Sequence, residues 1–200
     1  MREVHPVTAE LVLIVIDVQR DFVPQPPTGA IDAPEVTTIR SVVDTARAND
    51  VPVVFVRELH NPGFTDVGRE VDGVEDLHCI EGTPGADYID NFGPLPTEYE
   101  VRKRRYSAFF GTDLATILRG YHAETVLLTG GLTDVCVHYT AVDAHQHDYH
   151  FRVIEDAVYA SSPTAHHSAL NAMAYLQRNA VIGSDTATTI LRNRSVDATK

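Results

Sequence analysis

The chain has 200 residues and is 44% hydrophobic, which suits one domain over residues 1–200 with a substantial core. Its formal net charge of −12 disfavours nucleic acids and anionic membranes as partners. Two cysteines, Cys79 and Cys136, are too few for a disulfide framework and indicate reduced thiols. The opening MREVHPVTAE lacks a signal-type apolar segment, and no apolar run is long enough to span a bilayer, so we expect a cytoplasmic protein.

Apolar runs alternate with segments of helical spacing along the chain. Strands are predicted over residues 11–18 (LVLIVIDV), 51–58 (VPVVFVRE), 125–130 (TVLLTG) and 151–157 (FRVIEDA), with short ones near 99–103 and 181. Helices are predicted around residues 36–46, 114–121 and 169–176, the last capped by Ser162 before Pro163, and another begins near Cys136. This order predicts an α/β fold: a doubly wound, Rossmann-like six-stranded parallel sheet with helices on both faces.

Two stretches do not fit this alternation. Residues 61–96 form a long segment rich in Gly, Pro and Asp, and a loop of this length is usually functional or mobile. The tail after Ile190 is polar, and we expect it to fray or to pack on a partner subunit.

Three chemically reactive residues follow strands of the predicted sheet. Asp17 ends the first strand, Lys103 ends the third, and Cys136 follows the fourth across a short turn. Reactive groups of a doubly wound sheet gather beyond the carboxyl ends of its strands, so all three are predicted to face one crevice. A thiol in the first helical turn lies among free backbone N–H groups, which favour its thiolate. Asp17 would then act as the base, and Lys103 would balance the developing charge.

Each of these residues also has a simpler interpretation. A single cysteine on a helix is often a small buried hydrophobic residue, and an aspartate after a strand is often a turn former. Lys103 lies within RKRRY, where a solvated charge is the ordinary outcome. Only their order along the chain makes Asp17, Lys103 and Cys136 a candidate triad.

Three stretches around these residues carry a family resemblance: LIVIDVQRDFV, KRRYSAFFGTDL and GGLTDVCV. From about residue 11 to 160, the sequence resembles the isochorismatase-like cysteine hydrolases, which include nicotinamidases, N-carbamoylsarcosine amidases, and ureidoacrylate and biuret hydrolases. The resemblance implies a catalytic triad of Asp17, Lys103 and Cys136 and a thioester mechanism. It also implies a cis peptide bond at Leu132–Thr133, an oxyanion hole formed by the amides of Thr133 and Cys136, and a homo-oligomer, a dimer or tetramer.

A further segment, HCIEGTPGADY, is similar to a nicotinamidase segment whose histidine binds a metal ion. The resemblance would supply Glu58, His60 and His78 as ligands, one carboxylate and two imidazoles. The nicotinamidase pattern has an additional histidine that RELHNPGF and the residues after it do not provide before His78. This incomplete set predicts no metal and no other cofactor, and it leaves Glu58 and His60 as polar groups of the substrate pocket or of the structure.

Other residues are candidates for the substrate pocket. Aromatic residues near the three motifs are predicted to wall it: Phe22, Tyr106, Phe110 and Tyr139. Arg104 or Arg105 is a candidate partner for a substrate carboxylate, with a solvated charge as the alternative. The histidines of HQHDYH are spaced so that they scatter around a helix, which predicts surface positions. No phosphate-binding glycine motif is present.

These observations predict a cysteine hydrolase that cleaves the C–N bond of a small amide or ureido substrate and releases ammonia or an amine. One alternative is hydrolysis of a vinyl ether, as in isochorismatases, with the aspartate as acid and no covalent sulfur intermediate. Another is a binding or scaffold protein that has the fold without turnover.

Overall fold

The computed structural model describes residues 10–24, 32–73 and 75–194. Its centre is a six-stranded sheet in the order β3-β2-β1-β4-β5-β6, and all neighbouring strands run parallel. The strands are β1 (Leu11–Ile16), β2 (Val53–Glu58), β3 (Tyr99–Lys103), β4 (Thr125–Gly131), β5 (His150–Tyr159) and β6 (Val181–Ile182). The predicted α/β fold with a parallel sheet is therefore confirmed.

Helices cover both faces of the sheet. They are α1 (Pro34–Ala48), α2 (Leu114–Tyr121), α3 (His138–Gln146), α4 (Pro163–Leu176) and α5 (Ser184–Asn193). One core cluster joins α1 and α5 to the sheet, and a second joins α2, α3 and α4 to the opposite face. The hydroxyl of Ser162 accepts a hydrogen bond from the N–H of Ala165 at 3.2 Å, as expected of the N-cap of α4. Among these helices, none has both the length and the apolar character needed to cross a membrane.

The observed elements differ from the predicted ones by one or two residues at several ends, and two of the differences have a clear physical cause. Strand β1 ends at Ile16 because Asp17 has a φ of 49°, a left-handed conformation that no strand can continue. The prediction of a frayed tail after Ile190 was wrong for its first residues, since α5 continues to Asn193 and Leu191 is buried. Thr-rich TATTI has low helix propensity, so the packing of Ala187, Ile190 and Leu191 on the sheet determines this helix. Residues 195–200 of the tail lie outside the described part.

The sheet order reverses at β1, which lies between β2 and β4. Chain segments leaving β1 and β4 therefore diverge and open a crevice at their carboxyl ends. The segment 61–96 crosses this edge with two short 3₁₀ turns, Glu70–Asp72 and Pro84–Ala86, and its described residues form no longer element. The fold thus places Asp17, the turn after β4 and this long segment at one edge.

Close approach of β4 to β1 requires a glycine at position 130. Gly130 has a φ of 107°, and a Cβ there would overlap the carbonyl oxygen of Ile16. We expect Gly130→Ala to lower the free energy of unfolding by at least about 2 kcal/mol, measured by urea denaturation. The control is Gly120→Ala in α2, where an added Cβ meets nothing within 4 Å and helix propensity improves. Equal stability of the two variants would contradict this packing.

Candidate active site

The three residues of the candidate triad meet in one buried cluster. Lys103 Nζ lies 2.8 Å from Asp17 Oδ2 and 3.4 Å from Cys136 Sγ. Asp17 directly follows β1, Lys103 is the last residue of β3, and Cys136 lies in the π-helical turn Thr133–Val137 between β4 and α3. Asp17 and Lys103 are inaccessible to solvent, and Cys136 is 4% exposed. The cluster therefore holds two opposite charges beside a thiol, with little water to screen them.

Glu58 is a fourth member of this cluster. It ends β2, and the sheet register pairs it with Lys103 on β3, so its carboxylate meets the ammonium group that reaches across from the edge strand. Glu58 Oε2 accepts a hydrogen bond from Lys103 Nζ, and the Cys136 thiol points at the same oxygen at 3.8 Å. Donor atoms of Asp17, Glu58 and Cys136 all lie within 4.8 Å of one another. Lys103 is thus held between two carboxylates.

Gln19 fixes the backbone from which Glu58 projects. The N–H of Glu58 donates to Gln19 Oε1 at 2.9 Å, and Gln19 Nε2 donates to the Glu58 carbonyl at 2.8 Å. The same Nε2 contacts the carbonyl of Ala86 at 2.9 Å and Cys79 Sγ at 3.3 Å. This fully buried amide replaces the backbone partners that β2 loses at its end, and it leaves Glu58 one orientation.

Burial and charge set the protonation states of the cluster. Burial raises the pKa of Asp17 to about 6, with Lys103 opposing the rise. Burial also raises the pKa of the Cys136 thiol well above its usual range, although Lys103 acts in the other direction. Burial alone would lower the pKa of Lys103, but the negative charge of Asp17 and its neighbours raises it. Near neutral pH the cluster therefore holds an ionised Asp17, a charged Lys103 and a protonated thiol.

This resting state differs from the thiolate that the helix terminus led us to expect. Desolvation of a fully buried sulfur outweighs the attraction of the adjacent backbone dipoles and of Lys103. A thiol in this state can act as a nucleophile only after losing its proton to a neighbour, and Asp17, with a donor atom within 4.8 Å, is ionised near neutral pH.

Removal of Lys103 should leave two buried carboxylates without their cation. We expect Lys103→Met to lower the free energy of unfolding by roughly 3–5 kcal/mol at pH 7.5. Without the cation, the folded-state pKa of Asp17 should rise further and that of Glu58 should rise from its lowered position, so the folded variant binds more protons than the natural protein and is stabilised relative to it as the pH falls. The difference in free energy of unfolding between the variant and the natural protein, measured by urea denaturation, should be smaller at pH 5 than at pH 7.5. An equal loss at both pH values would contradict this pairing.

A second polar cluster adjoins the triad through Glu58. Glu58 Oε1 lies 3.1 Å from His60 Nε2 and 2.8 Å from His78 Nε2, and Glu70 Oε2 lies 3.2 Å from His60 Nε2. The hydrogen bond to Glu58 and the negative charge of the adjacent Glu70 raise the pKa of His60 to about 9 against the opposing effect of burial. The pKa of His78 is raised by its bonds to Glu58 and the Asp76 carbonyl, again against burial. In this form both imidazoles are protonated and neutralise the two carboxylates.

The same four side chains fit a divalent metal ion. One donor atom from each of Glu58, His60, Glu70 and His78 lies within 4.8 Å of the other three. Both carboxylate oxygens of Glu70 are buried without a hydrogen-bond partner of good geometry in the described residues, although His60 is near. Two carboxylates and two imidazoles are the donor types that Zn²⁺ or Fe²⁺ accepts. The chemistry of this donor set therefore suits such an ion.

Glu70 changes the interpretation drawn from the sequence, where the ligand set Glu58, His60 and His78 was incomplete. Glu70 begins a 3₁₀ turn inside the long irregular segment and is only 6% exposed. No spacing pattern links it to β2, because the segment's fold alone brings it back against His60. The one available signal was the unusual length of the segment itself.

A narrow cavity opens onto the thiol. Its volume is about 10 Å³, roughly the space that one water molecule needs and far below the ~300–1,000 Å³ typical of small-molecule sites, so the lining must open to admit even a small substrate. The lining residues are Phe22, Glu58, Glu75, His78, Tyr106, Leu132, Val135 and Cys136. Sequence reasoning did not single out Glu75, which belongs to the same irregular segment as Glu70.

Other predicted pocket residues lie further out. Tyr139 is 49% exposed and stacks on the outer side of Tyr106, with ring centroids 5.7 Å apart. Phe110 is 65% exposed, and His60 is buried behind Glu58. Both arginines are bound by Asp66 and not by the cavity. Arg104 pairs with the Asp66 carboxylate at 2.7 Å, and Arg105 donates a hydrogen bond to the Asp66 carbonyl at 2.6 Å.

The predicted position of the cis peptide bond was wrong by one residue. The cis bond joins Gly131 and Leu132, and Leu132 lines the cavity. Thr133 is buried, and its hydroxyl lies 3.1 Å from His166 Nδ1. The resemblance had placed the bond at Leu132–Thr133, but the sharp corner of the chain falls where β4 ends at Gly131.

The chain is similar to several known proteins. A family model described as an isochorismatase domain matches residues 11–186. Ureidoacrylate amidohydrolase RutB of Yersinia enterocolitica is 27% identical over 183 residues, 78% of this chain and 78% of that protein. The crystal structure of N-carbamoylsarcosine amidase from Thermoplasma acidophilum has a TM-score of 0.70 and 32% identity, covering 88% of this chain and 97% of that one. Pyrazinamidase of Pyrococcus horikoshii in complex with zinc has a TM-score of 0.71 and 32% identity, covering 87% and 99%.

Proposed function

The chain belongs to the isochorismatase family and is a hydrolase, and from that premise we propose that it cleaves the C–N bond of a small amide or ureido substrate through a thioester. Relatives named as amidohydrolases and amidases support the C–N bond as the target. The observation that carries the proposal is the contact of Lys103 Nζ with both Asp17 Oδ2 and Cys136 Sγ, at 2.8 and 3.4 Å. This arrangement supplies a nucleophile, a base and a balancing charge within one buried cluster.

Acylation begins with transfer of the thiol proton to Asp17. The sulfur forms a bond to the substrate carbonyl carbon, and the carbonyl electron pair moves to oxygen. Collapse of this intermediate breaks the C–N bond, and Asp17 returns its proton to the departing nitrogen as ammonia or an amine. Lys103 stabilises the negative charge that passes from Asp17 to sulfur and oxygen.

Backbone amides of the turn after β4 are proposed to bind the oxyanion. The two donors are the N–H groups of Thr133 and Cys136, at the start of the helical turn where backbone N–H groups lack partners four residues earlier. The N–H of Leu132, which lines the cavity, is a further candidate donor.

Deacylation uses the same residues in the reverse order. Asp17, again ionised, removes a proton from water, whose oxygen attacks the thioester carbon. The C–S bond breaks, the acid product leaves, and the proton on Asp17 returns to the Cys136 sulfur. Phe22 and Tyr106 wall the cavity, with Tyr139 supporting Tyr106 from outside, and restrict the entry of further water.

These steps use only groups of the chain itself, so the proposal requires no cofactor. Glu58, His60, Glu70 and His78 are the residues that would hold a divalent ion, which would supply a Lewis acid beside the cavity. In either form Glu58 also orients Lys103 through its second oxygen.

The proposal is tested by an ammonia-release screen over small primary amides and ureas, with the Cys136→Ala protein as blank. We expect at least one compound to release ammonia with the natural protein alone. Release from no compound, or equal release by both proteins, would contradict the proposal.

We further propose that residues 1–200 act as one domain in a cytoplasmic homo-oligomer, a dimer or a tetramer, with a small molecule and no nucleic acid as ligand. The negative charge of the chain supports the last point. Light scattering after size exclusion should give a mass two or four times 22.0 kDa.

A further inference from the structure

Glu75 is the carboxylate of the cavity that no other described residue binds. Glu58, the other acidic residue of the lining, is occupied by Lys103, His60 and His78. Glu75 makes no hydrogen bond or ion pair with the residues that the structure describes, yet it lines the same narrow cavity as Cys136. A substrate whose carbonyl reaches the sulfur must therefore place its remaining atoms near this carboxylate.

Cations close to the cavity are already paired within the protein. Lys103 is bound by Asp17 and Glu58. His78 donates from Nε2 to Glu58 and from Nδ1 to the carbonyl of Asp76. Arg104, the arginine that follows Lys103, turns to Asp66. Among the described residues, none offers a free positive group to a carboxylate that enters the cavity.

Metal binding would leave the net charge of the neighbouring carboxylate and imidazole cluster unchanged. With both imidazoles protonated, Glu58, His60, Glu70 and His78 carry two negative and two positive charges. If a divalent ion replaces one proton on each imidazole, the two carboxylates and the ion again have a net charge of zero. The charge that an entering substrate meets at Glu75 is therefore the same in either form.

We propose that Glu75 determines specificity by accepting an N–H group or a positive charge beside the scissile carbonyl and by rejecting substrates with a carboxylate there. This inference rests on the proposed function, because it names the substrate class of the same site. Its chemical basis is that an unpaired carboxylate in a narrow cavity, partly shielded from water, binds donors and repels anions more strongly than one on an open surface. The preferred substrates are small amides or ureas that are neutral or cationic.

Alkylation of Cys136 tests the charge preference without any turnover. Iodoacetamide and iodoacetate have nearly the same shape, but the first carries a neutral amide where the second carries an anionic carboxylate. Because burial raises the pKa of Glu75, the rates are compared at pH 8, well above the usual pKa of a glutamate. Labelling is followed at the Cys136 peptide by mass spectrometry, and each rate is divided by that of a free thiol. We expect the ratio of iodoacetamide to iodoacetate to be at least about tenfold, and to fall several-fold in Glu75→Gln.

Asp76→Asn is the matched control. Asp76 is the next residue in the chain, its side chain is exposed and does not line the cavity, and the substitution removes the same charge. The ratio in this variant should equal that of the natural protein. A ratio near one in the natural protein, or the same fall in both variants, would overturn the inference.

Hydrolysis of three matched amides provides the second arm: glycinamide, propionamide and malonamate, which are cationic, neutral and anionic. We expect malonamate to have the lowest kcat/KM of the three. In Glu75→Gln, the difference in kcat/KM between malonamate and the other two amides should be smaller. Faster hydrolysis of malonamate would overturn the role of Glu75 and leave the thioester mechanism intact. Failure of the proposed function is distinguishable, because all amides would then be inert while the alkylation ratio would still report the charge preference.

Discussion

Replacing Cys136 by alanine is expected to reduce kcat/KM for ammonia release by a factor on the order of 10⁴–10⁶. The loss should be this large because Cys136 is the only thiol among the described residues that line the cavity, and the proposed route uses the other lining groups only to bind and polarise the substrate. Cys136→Ser should also be nearly inactive, since a serine hydroxyl is far less acidic than a thiol and the base is only a carboxylate. Initial rates of ammonia release with a substrate found in the screen measure both losses.

A folding control accompanies these variants. Cys136 packs in the core between the sheet and the helices α2 to α4, so circular dichroism and thermal melting must show that each variant is folded. Retention of most activity by folded Cys136→Ala would contradict the thioester. Such a result would favour the acid-catalysed route that an isochorismatase-type hydrolase uses on a vinyl ether.

Replacing Asp17 by asparagine is expected to reduce kcat/KM by a factor on the order of 10³–10⁴, because the thiol then has no ionised acceptor for its proton. Asp17 is the group that must be ionised, and its pKa is raised to about 6 by burial. In the natural protein kcat/KM should therefore rise with pH up to about 6 and then level off. Below this pKa the rate should fall about tenfold per pH unit.

The pH profile of the variant separates catalysis from folding. In Asp17→Asn the residual kcat/KM should not fall below about pH 6, because the carboxyl group that causes this fall, the acid limb of the profile, has been removed. Asp113→Asn, which removes an exposed carboxylate before α2, should keep both the rate and the limb. An unchanged acid limb in Asp17→Asn would show that another group acts as the base.

The proximity of the three residues of the candidate triad could be predicted from the sequence because the sheet itself brings them together. Asp17 and Cys136 follow apolar runs that are typical of buried parallel strands, Lys103 ends a short edge strand, and parallel strands present their carboxyl ends to one edge. Their chemistry and order then identify the crevice. Glu58 was visible as a residue of the same edge, but its contact with Lys103 depends on the register of β2 with β3, which the sequence does not specify.

The rest of the site depends on contacts that no local pattern encodes. Glu70 and Glu75 belong to a segment without regular periodicity, and their positions follow from how that segment folds over the sheet edge. The direction of the Cys136 pKa depends on burial, which a helix-terminus argument does not include. The position of the cis peptide bond likewise depends on where β4 ends.

Trapping of the acyl-enzyme addresses the proposed chemistry at its central step. The natural protein is mixed with a substrate from the screen, quenched in acid during turnover, and examined by intact mass and by peptide mapping, with and without hydroxylamine. The account predicts an added acyl group on Cys136 that hydroxylamine removes as a hydroxamate, and no such product from Cys136→Ala. An acyl group on another residue, or hydroxamate formed by Cys136→Ala at the natural rate, would contradict it.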